Sequence, residues 1–200
     1  MIIDLTMEVS EKTPAFPGEP GFQAAPLSKM DVCGIASCRL TFNSHFSTHI
    51  DAPSHMIKGG KNLEDYPIEA FVGKATIVDV RGKNKIQKGD VPDLNEAPFC
   101  LFRTDHSKKA FQKDYFKNNP VLTPDAAQAL IDQKVKIVGI DSFTPDNEPY
   151  TVHKILFKKD ILILENLVNL EKIGNRCRLI VAPLNLRNAD GAPTRVIAEI

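Results

Sequence analysis

Tryptophan is absent from this chain, and cysteine is scarce at four residues. None of the four (Cys33, Cys38, Cys100, Cys177) belongs to a CxxC pair, so neither a zinc ribbon nor a dithiol redox motif is written here. Free thiols are expected, buried as small inert core residues in a reducing compartment. Charge of either sign is not in excess: Lys+Arg and Asp+Glu are 25 each. A neutral chain lacks the electrostatic footprint of a nucleic-acid or anionic-membrane binder. No apolar run approaches the ~18–20 residues of a membrane helix. The start, Met1-Ile2-Ile3-Asp4-Leu5, lacks the basic region and apolar stretch of a signal peptide, and a cytoplasmic location is expected. GxSxG, Walker and HExxH motifs are missing, and no organic-cofactor motif is present. Lys58-Gly59-Gly60-Lys61 is glycine-rich without P-loop spacing and reads as an ordinary turn.

What is present is a globular composition, 42% apolar and 25% charged over 200 residues, which predicts one domain spanning 1–200. Residues 2–9 and 33–43 read as strands, and 13–20, with three prolines and a glycine, as a loop. Short apolar runs at 75–80 and 98–103 have strand length. Thr123-Pro124-Asp125 has the pattern of a helix start, with the helix running to about Lys134 and a buried strand following at 135–140. A second helix–strand step covers 151–159 and 161–164, and strands at 179–181 and 196–198 close the chain. The irregular order and surplus of strands predict a mixed α/β domain rather than a regular doubly wound sheet.

Three of the five histidines fall within eleven residues, in Ser44-His45-Phe46-Ser47-Thr48-His49-Ile50-Asp51-Ala52-Pro53-Ser54-His55. Imidazole and carboxylate together suit zinc, manganese or iron. Straight strand would hold His45 and His49 roughly 13 Å apart, and Thr48, Ile50 and Pro53 oppose a long helix. An irregular loop at a strand end is expected, with His49 and Asp51 able to share one face of an extended piece. Further ligands are sought elsewhere. Glu165 ends an apolar run, where a carboxylate is costly unless paired or metal-bound. His153 lies on the preceding helix, within reach of the same point. Taken alone, each also reads as structural. Asp141 and Ser142 are candidates for orienting a ligand, and His106 reads as a solvated loop residue.

The run His45-x-x-x-His49-x-Asp51-x-Pro53-x-His55 resembles the signature of the cyclase-like metal-dependent hydrolases, which include bacterial kynurenine formamidase (arylformamidase) and isatin hydrolase. Phe16-Pro17-Gly18-Glu19-Pro20, Gly139-Ile140-Asp141-Ser142, Val152-His153-Lys154 and Leu164-Glu165-Asn166-Leu167 resemble further motifs of that family, in the right order. The resemblance implies a swivelling β/β/α-type α/β fold, often assembled as a dimer or tetramer. It implies one or two zinc ions, or manganese instead. His45, His49 and Asp51 would hold the first ion, and Asp51, His153 and Glu165 the second. His55 would carry the proton and Phe16 would line the substrate pocket. Two positions depart from the pattern: Ser47 stands where the family has glycine, and Phe16 where formamidases carry Trp or Tyr.

The expected reaction is hydrolysis of the C–N bond of a small formamide or lactam by metal-activated water, with His55 protonating the departing nitrogen. Two other readings use the same residues. His49, Asp51 and His153 also form the ligand set of a non-haem iron oxygenase. A metal- or ligand-binding member of the fold without catalysis would keep the cluster and lack turnover.

Overall fold

The computed structural model describes residues 1–200. In chain order, β1 (Ile2–Asp4) precedes a projecting unit of β2 (Gln23–Ser28), the one-turn helix α1 (Met30–Cys33) and β3 (Ser37–Thr41). The chain then forms β4 (His49–Asp51), β5 (Val72–Asp79), β6 (Lys85–Ile86), β7 (Phe99–Arg103) and β8 (Val121–Leu122). The remainder is α2 (Pro124–Asp132), β9 (Ile137–Ile140), α3 (Thr151–Phe157), β10 (Leu162–Glu165), β11 (Arg176–Pro183) and β12 (Gly191–Glu199).

The main sheet has the order β1-β12-β11-β5-β7-β9-β10-β4, and β4 pairs again with β12. That second pairing closes the sheet into a barrel with β1 on its outside edge. Strands β5, β7, β9 and β10 run parallel to one another, whereas every pairing that involves β4, β11, β12 or β1 is antiparallel. This is the mixed α/β, swivelling type expected.

Side-chain alternation explains why the parallel strands read as continuous apolar runs. Phe99 and Leu101 of β7 join Ile50, Ile137, Leu164, Leu179 and Val196 in one buried cluster inside the barrel. The intervening Cys100 and Phe102 pack outward with Ala127 and Leu130 of α2 and Val152 and Leu156 of α3. Strands covered on both faces have no polar register to keep. Gly139 marks where the backbone comes closest to a neighbour: a Cβ there would sit 2.5 Å from Leu101 Cδ2. In β11 the outer face meets water, so buried and exposed residues alternate.

Two strands are shorter than the sequence suggests. The strand expected over 2–9 stops at Asp4, because Asp4 Oδ1 accepts the Thr6 N–H in a local turn at 3.1 Å and the chain leaves the edge. Residues 33–43 begin as the end of α1, which Gly34 terminates at φ 70, so strand starts only at Ser37. Its only partner is β2, and every residue of β3 is exposed. Strands β2, β6 and β8 were not anticipated. The buried-thiol expectation holds for Cys100 and Cys177 but fails for Cys33 and Cys38, which are exposed on the projecting unit.

Candidate metal centre

The barrel closure at β4 builds the site. His49 and Asp51, two residues apart, point to one face of β4, while Ile50 between them enters the core. Glu165 lies directly across from His49 in the β4–β10 pairing, and Gly191 lies across from Asp51 in the β4–β12 pairing. His45 approaches on the bend before β4, and His55 on the 3-10 turn Pro53–His55 after it. The loop expectation thus holds for His45 and His55, and the extended-piece expectation for His49 and Asp51. Gly60 in the Lys58–Lys61 turn packs against that 3-10 turn so closely that a Cβ would meet Pro53 C at 2.6 Å.

Ser47, the departure from glycine, adopts φ 59. It takes the left-handed conformation a glycine accepts freely, at a strain on the order of 1 kcal/mol, and donates Oγ–H to Met7 O at 3.1 Å. Thr48 Oγ1 donates to Asn166 O at 2.6 Å and accepts from Met7 N at 2.8 Å, tying the entry of β4 to the exit of β10.

The donor atoms converge. His45, His49 and Asp51 form one group of ligand atoms within 4.8 Å of one another, and Asp51, His153 and Glu165 form another. His49 Nε2 is 3.2 Å from Asp51 Oδ1 and 3.3 Å from Glu165 Oε2. His153 Nε2 is 3.3 Å from Glu165 Oε1. A tetrahedral ion with bonds of ~2.0–2.1 Å spaces its ligand atoms roughly 3.3 Å apart, which the His49–Asp51 and His153–Glu165 separations match, while His45 Nδ1 sits closer to Asp51, at 2.7 Å, and His153 Nε2 farther, at 3.9 Å. Asp51 belongs to both groups, which suits a bridging carboxylate. Glu165 Oε1 is buried without a hydrogen-bond partner, and the ion-pair partners of Asp51 and Glu165 are all histidines. Buried carboxylates with no lysine or arginine beside them need a cation.

The ligand rings are held from behind. His49 Nδ1–H donates to Ser47 O at 2.8 Å, leaving Nε2 toward the site. His153 Nδ1 is hydrogen-bonded to Asp146, whose other oxygen takes the Val152 N–H at 2.7 Å and anchors the start of α3. Such outer acceptors fix the tautomer of a ligand histidine. Asp146 was not anticipated. Asp141 does not take that role, since it accepts from Thr104 N, Thr104 Oγ1 and Asp105 N; Ser142 Oγ is buried without a hydrogen-bond partner and orients no ligand ring here. His106 is likewise not solvated. It is buried, with Nε2–H donating to Tyr115 O at 2.7 Å.

Electrostatics match this arrangement. Burial would lower His45, but the Asp51 and Asp190 carboxylates outweigh it and push it up to about 9. His153, under the same opposition of burial against Asp146 and Glu165, is pushed up to about 10. Asp51 is held well below the usual carboxylate range, because His49 and His45 overcome its burial. His55 differs: burial keeps it below the ordinary imidazole value. In the metal-free protein, ring protons thus supply the positive charge that the carboxylates require.

A cavity of about 270 Å³ opens on the cluster, lined by His45, His49, Asp51, His55, His153 and Glu165 together with Phe16, Phe116 and Phe143. All six residues singled out for metal or proton chemistry, and Phe16, therefore meet at one place. The His49, Asp51 and His153 set of the oxygenase reading is divided between the two groups, with His49 in one, His153 in the other and Asp51 in both.

Fold and site together define a metal-dependent hydrolase. The Cyclase family model matches residues 3–147, and the chain belongs to that family. Kynurenine formamidase of Bacillus mycoides (strain KBAB4) is 32% identical over 201 residues, covering 98% of this chain and 95% of that protein. The structure of isatin hydrolase A from Labrenzia aggregata bound to benzyl benzoate superposes with a TM-score of 0.87 at 27% identity, covering 99% of this chain and 93% of that one. A potential metal-dependent hydrolase with cyclase activity superposes at 0.85 with 29% identity, covering 99% of this chain and 96% of that one.

Proposed function

We propose that this chain is an amidohydrolase that cleaves the C–N bond of a small formamide or lactam. The observation that carries this reading is the pair of ligand groups sharing Asp51 on a cavity that also holds His55. The names of its relatives, kynurenine formamidase and isatin hydrolase, support a carbon–nitrogen substrate. In this proposal His45, His49 and Asp51 would hold one zinc ion, and Asp51, His153 and Glu165 a second. A single manganese ion is the alternative. Such ions supply water of lowered pKa, near ~7, and polarise a carbonyl oxygen.

The chain's own residues do the rest. His55 lies outside the two Asp51 groups, in a more exposed third group with His45 and Asp190, and its Nε2 makes no hydrogen bond to protein, so it moves the proton to the departing nitrogen. Phe16 and Phe116, with ring centroids 5.7 Å apart, offer a planar ligand an apolar wall. We further propose one working domain over 1–200, assembled as a homo-oligomer. Leu27, Met30, Val32, Ile35 and Leu40 are all exposed on the projecting β2–α1–β3 unit, which supports such assembly. A cytoplasmic location is part of the same proposal, supported by four unpaired cysteines. No helix is long and apolar enough to cross a membrane.

The test is elemental analysis of protein purified without chelator or affinity-column metal, followed by a screen of aryl formamides, lactams and esters. One to two equivalents of zinc or manganese per chain, with formamide or lactam turnover lost on chelation, is the expected result. Iron alone would favour the oxygenase, and saturable ligand binding without turnover would favour the non-catalytic member. A chain that takes up no transition metal overturns the assignment.

A further inference from the structure

One carboxylate beside the ligand groups has no role in the reading above. Asp190 immediately precedes β12, and its backbone is fixed there by Ala52 N–H donating to Asp190 O at 2.8 Å. Its Oδ2 accepts Nε2–H of His45 at 3.0 Å and lies 3.5 Å from Nδ1 of His55. The two rings face each other with centroids 3.9 Å apart and planes inclined by 35°. The opposite nitrogen of His45, Nδ1, is 2.7 Å from Asp51 Oδ1. The His45 ring therefore spans the gap between the shared ligand carboxylate and Asp190.

The next residue completes the seat. A Cβ on Gly191 would lie 2.6 Å from His45 Cε1 and 3.0 Å from its Nδ1, so the ring occupies space that only a glycine leaves open. The same position pairs with Asp51 across the strands. Carboxylate at 190 and absent side chain at 191 are thus two independent features shaped to one ring. Every imidazole of the two Asp51 groups now has an acceptor behind it: Ser47 O for His49, Asp146 for His153 and Asp190 for His45. Asp190 differs in reaching a second imidazole as well.

We infer that Asp190 is a positioning residue that sets the tautomers of His45 and His55 together, with Gly191 providing the space for the His45 ring. By taking the Nε2–H of His45, it turns Nδ1 toward the ligand group. Its charge, 3.5 Å from Nδ1 of His55, favours the proton on that nitrogen without a formed hydrogen bond, and so leaves Nε2 facing the cavity to exchange a proton. The coordination half of the inference needs only a metal site. The proton-transfer half rests on the proposed function.

The experiment compares Asp190→Ala, Asp190→Asn and Gly191→Ala with the wild type, after circular dichroism shows each is folded. Long-range 1H–15N spectra of the metal-free protein, recorded at a pH where both rings are neutral, are expected to show protons on Nε2 of His45 and Nδ1 of His55 that Asp190→Ala loses or shifts. Zinc affinity, read by competition with a chromophoric chelator, is expected to fall about 10–100-fold in Asp190→Ala and in Gly191→Ala. Asp190→Asn, which keeps one acceptor oxygen, should fall between. At saturating metal, Asp190→Ala should lower kcat for a formamide about tenfold or more with KM within about twofold, the signature of a misaligned proton carrier. Unchanged imidazole resonances together with unchanged zinc affinity overturn the inference. If Asp190→Ala does not fold, Asp190→Asn carries the same comparison. A wild type that binds neither zinc nor manganese sinks the function reading alone, because the metal-free spectra still decide whether Asp190 sets both rings.

Discussion

Metal removal should destabilise this protein by several kilocalories per mole. Asp51 and Glu165 are 1% and 5% exposed and have only histidines as ion-pair partners. A resident ion joins these groups in the folded chain, whereas the unfolded chain scatters residues 45, 51, 153 and 165 along its length. Binding confined to the folded state stabilises it by about 4 kcal/mol when free metal stands at a thousand times Kd. For a chain of this size each kilocalorie moves Tm by about 2–4 °C, so chelation should lower Tm by roughly 8–16 °C. The assay is differential scanning calorimetry of as-purified, chelated and zinc-reconstituted protein, with elemental analysis on each sample. Reconstitution should restore Tm, and an Asp51→Ala variant, which removes the residue both groups share, should show little further loss on chelation. If metal is demonstrably removed and Tm moves by less than about 1 °C, the buried carboxylates are satisfied without an ion and the metal-centre reasoning is wrong.

Three further outcomes follow from single features. Gly60→Ala forces a Cβ to 2.6 Å from Pro53 C; because that turn carries His55, kcat should drop at least tenfold while metal content stays at the wild-type value, as kinetics and elemental analysis would show. Cys33 and Cys38 should react rapidly with a thiol reagent in the native protein, and Cys100 and Cys177 only on unfolding, since burial shields them and pushes the Cys177 thiol up to about 11. A native count of four fast thiols would contradict the packing. Burial beside Tyr115 and Phe143, helped by Lys109, holds His106 below its ordinary value against Asp114 and the Tyr115 carbonyl. The unfolded chain then takes up this proton first as pH falls, so stability drops as pH passes below about 6.5. A His106→Gln variant should show a flatter Tm between pH 7 and pH 5, and an equal slope in both proteins would remove His106 from the account.

Much of the site was legible in the chain because its chemistry is local. His45, His49, Asp51 and His55 lie within eleven residues, and two-residue alternation alone puts His49 and Asp51 on one face. His153 and Glu165 were reachable as candidates because a helix and its following strand pack side by side, and the structure brings His153 Nε2 to 3.3 Å from Glu165 Oε1. The parallel strands were legible for a different reason. Burial on both faces strips polar residues from β7, β9 and β10, leaving apolar runs that only their length identifies as strand.

What stayed hidden depends on long-range closure or on turns. Asp190 reads in sequence as an acid before a glycine, and only the second pairing of β4 with β12 carries it to His45 across 145 residues. Asp146 reads as a loop acid, and becomes the partner of His153 because it also anchors the first turn of α3. His106 looks exposed beside Asp105 until the turn behind it brings the Tyr115 carbonyl to its Nε2. The alternation over 33–43 suggested a strand, yet β3 pairs only with β2, and the two leave Leu27 of β2 and Leu40 of β3 in solvent. That misfit is itself informative. Apolar residues with strand propensity and no core to enter are what a surface built to meet a second copy contains. Leu40→Glu should therefore shift the mass measured by light scattering from oligomer toward monomer without touching the candidate metal ligands. A wild type that is monomeric at high micromolar concentration would leave the homo-oligomer proposal without support.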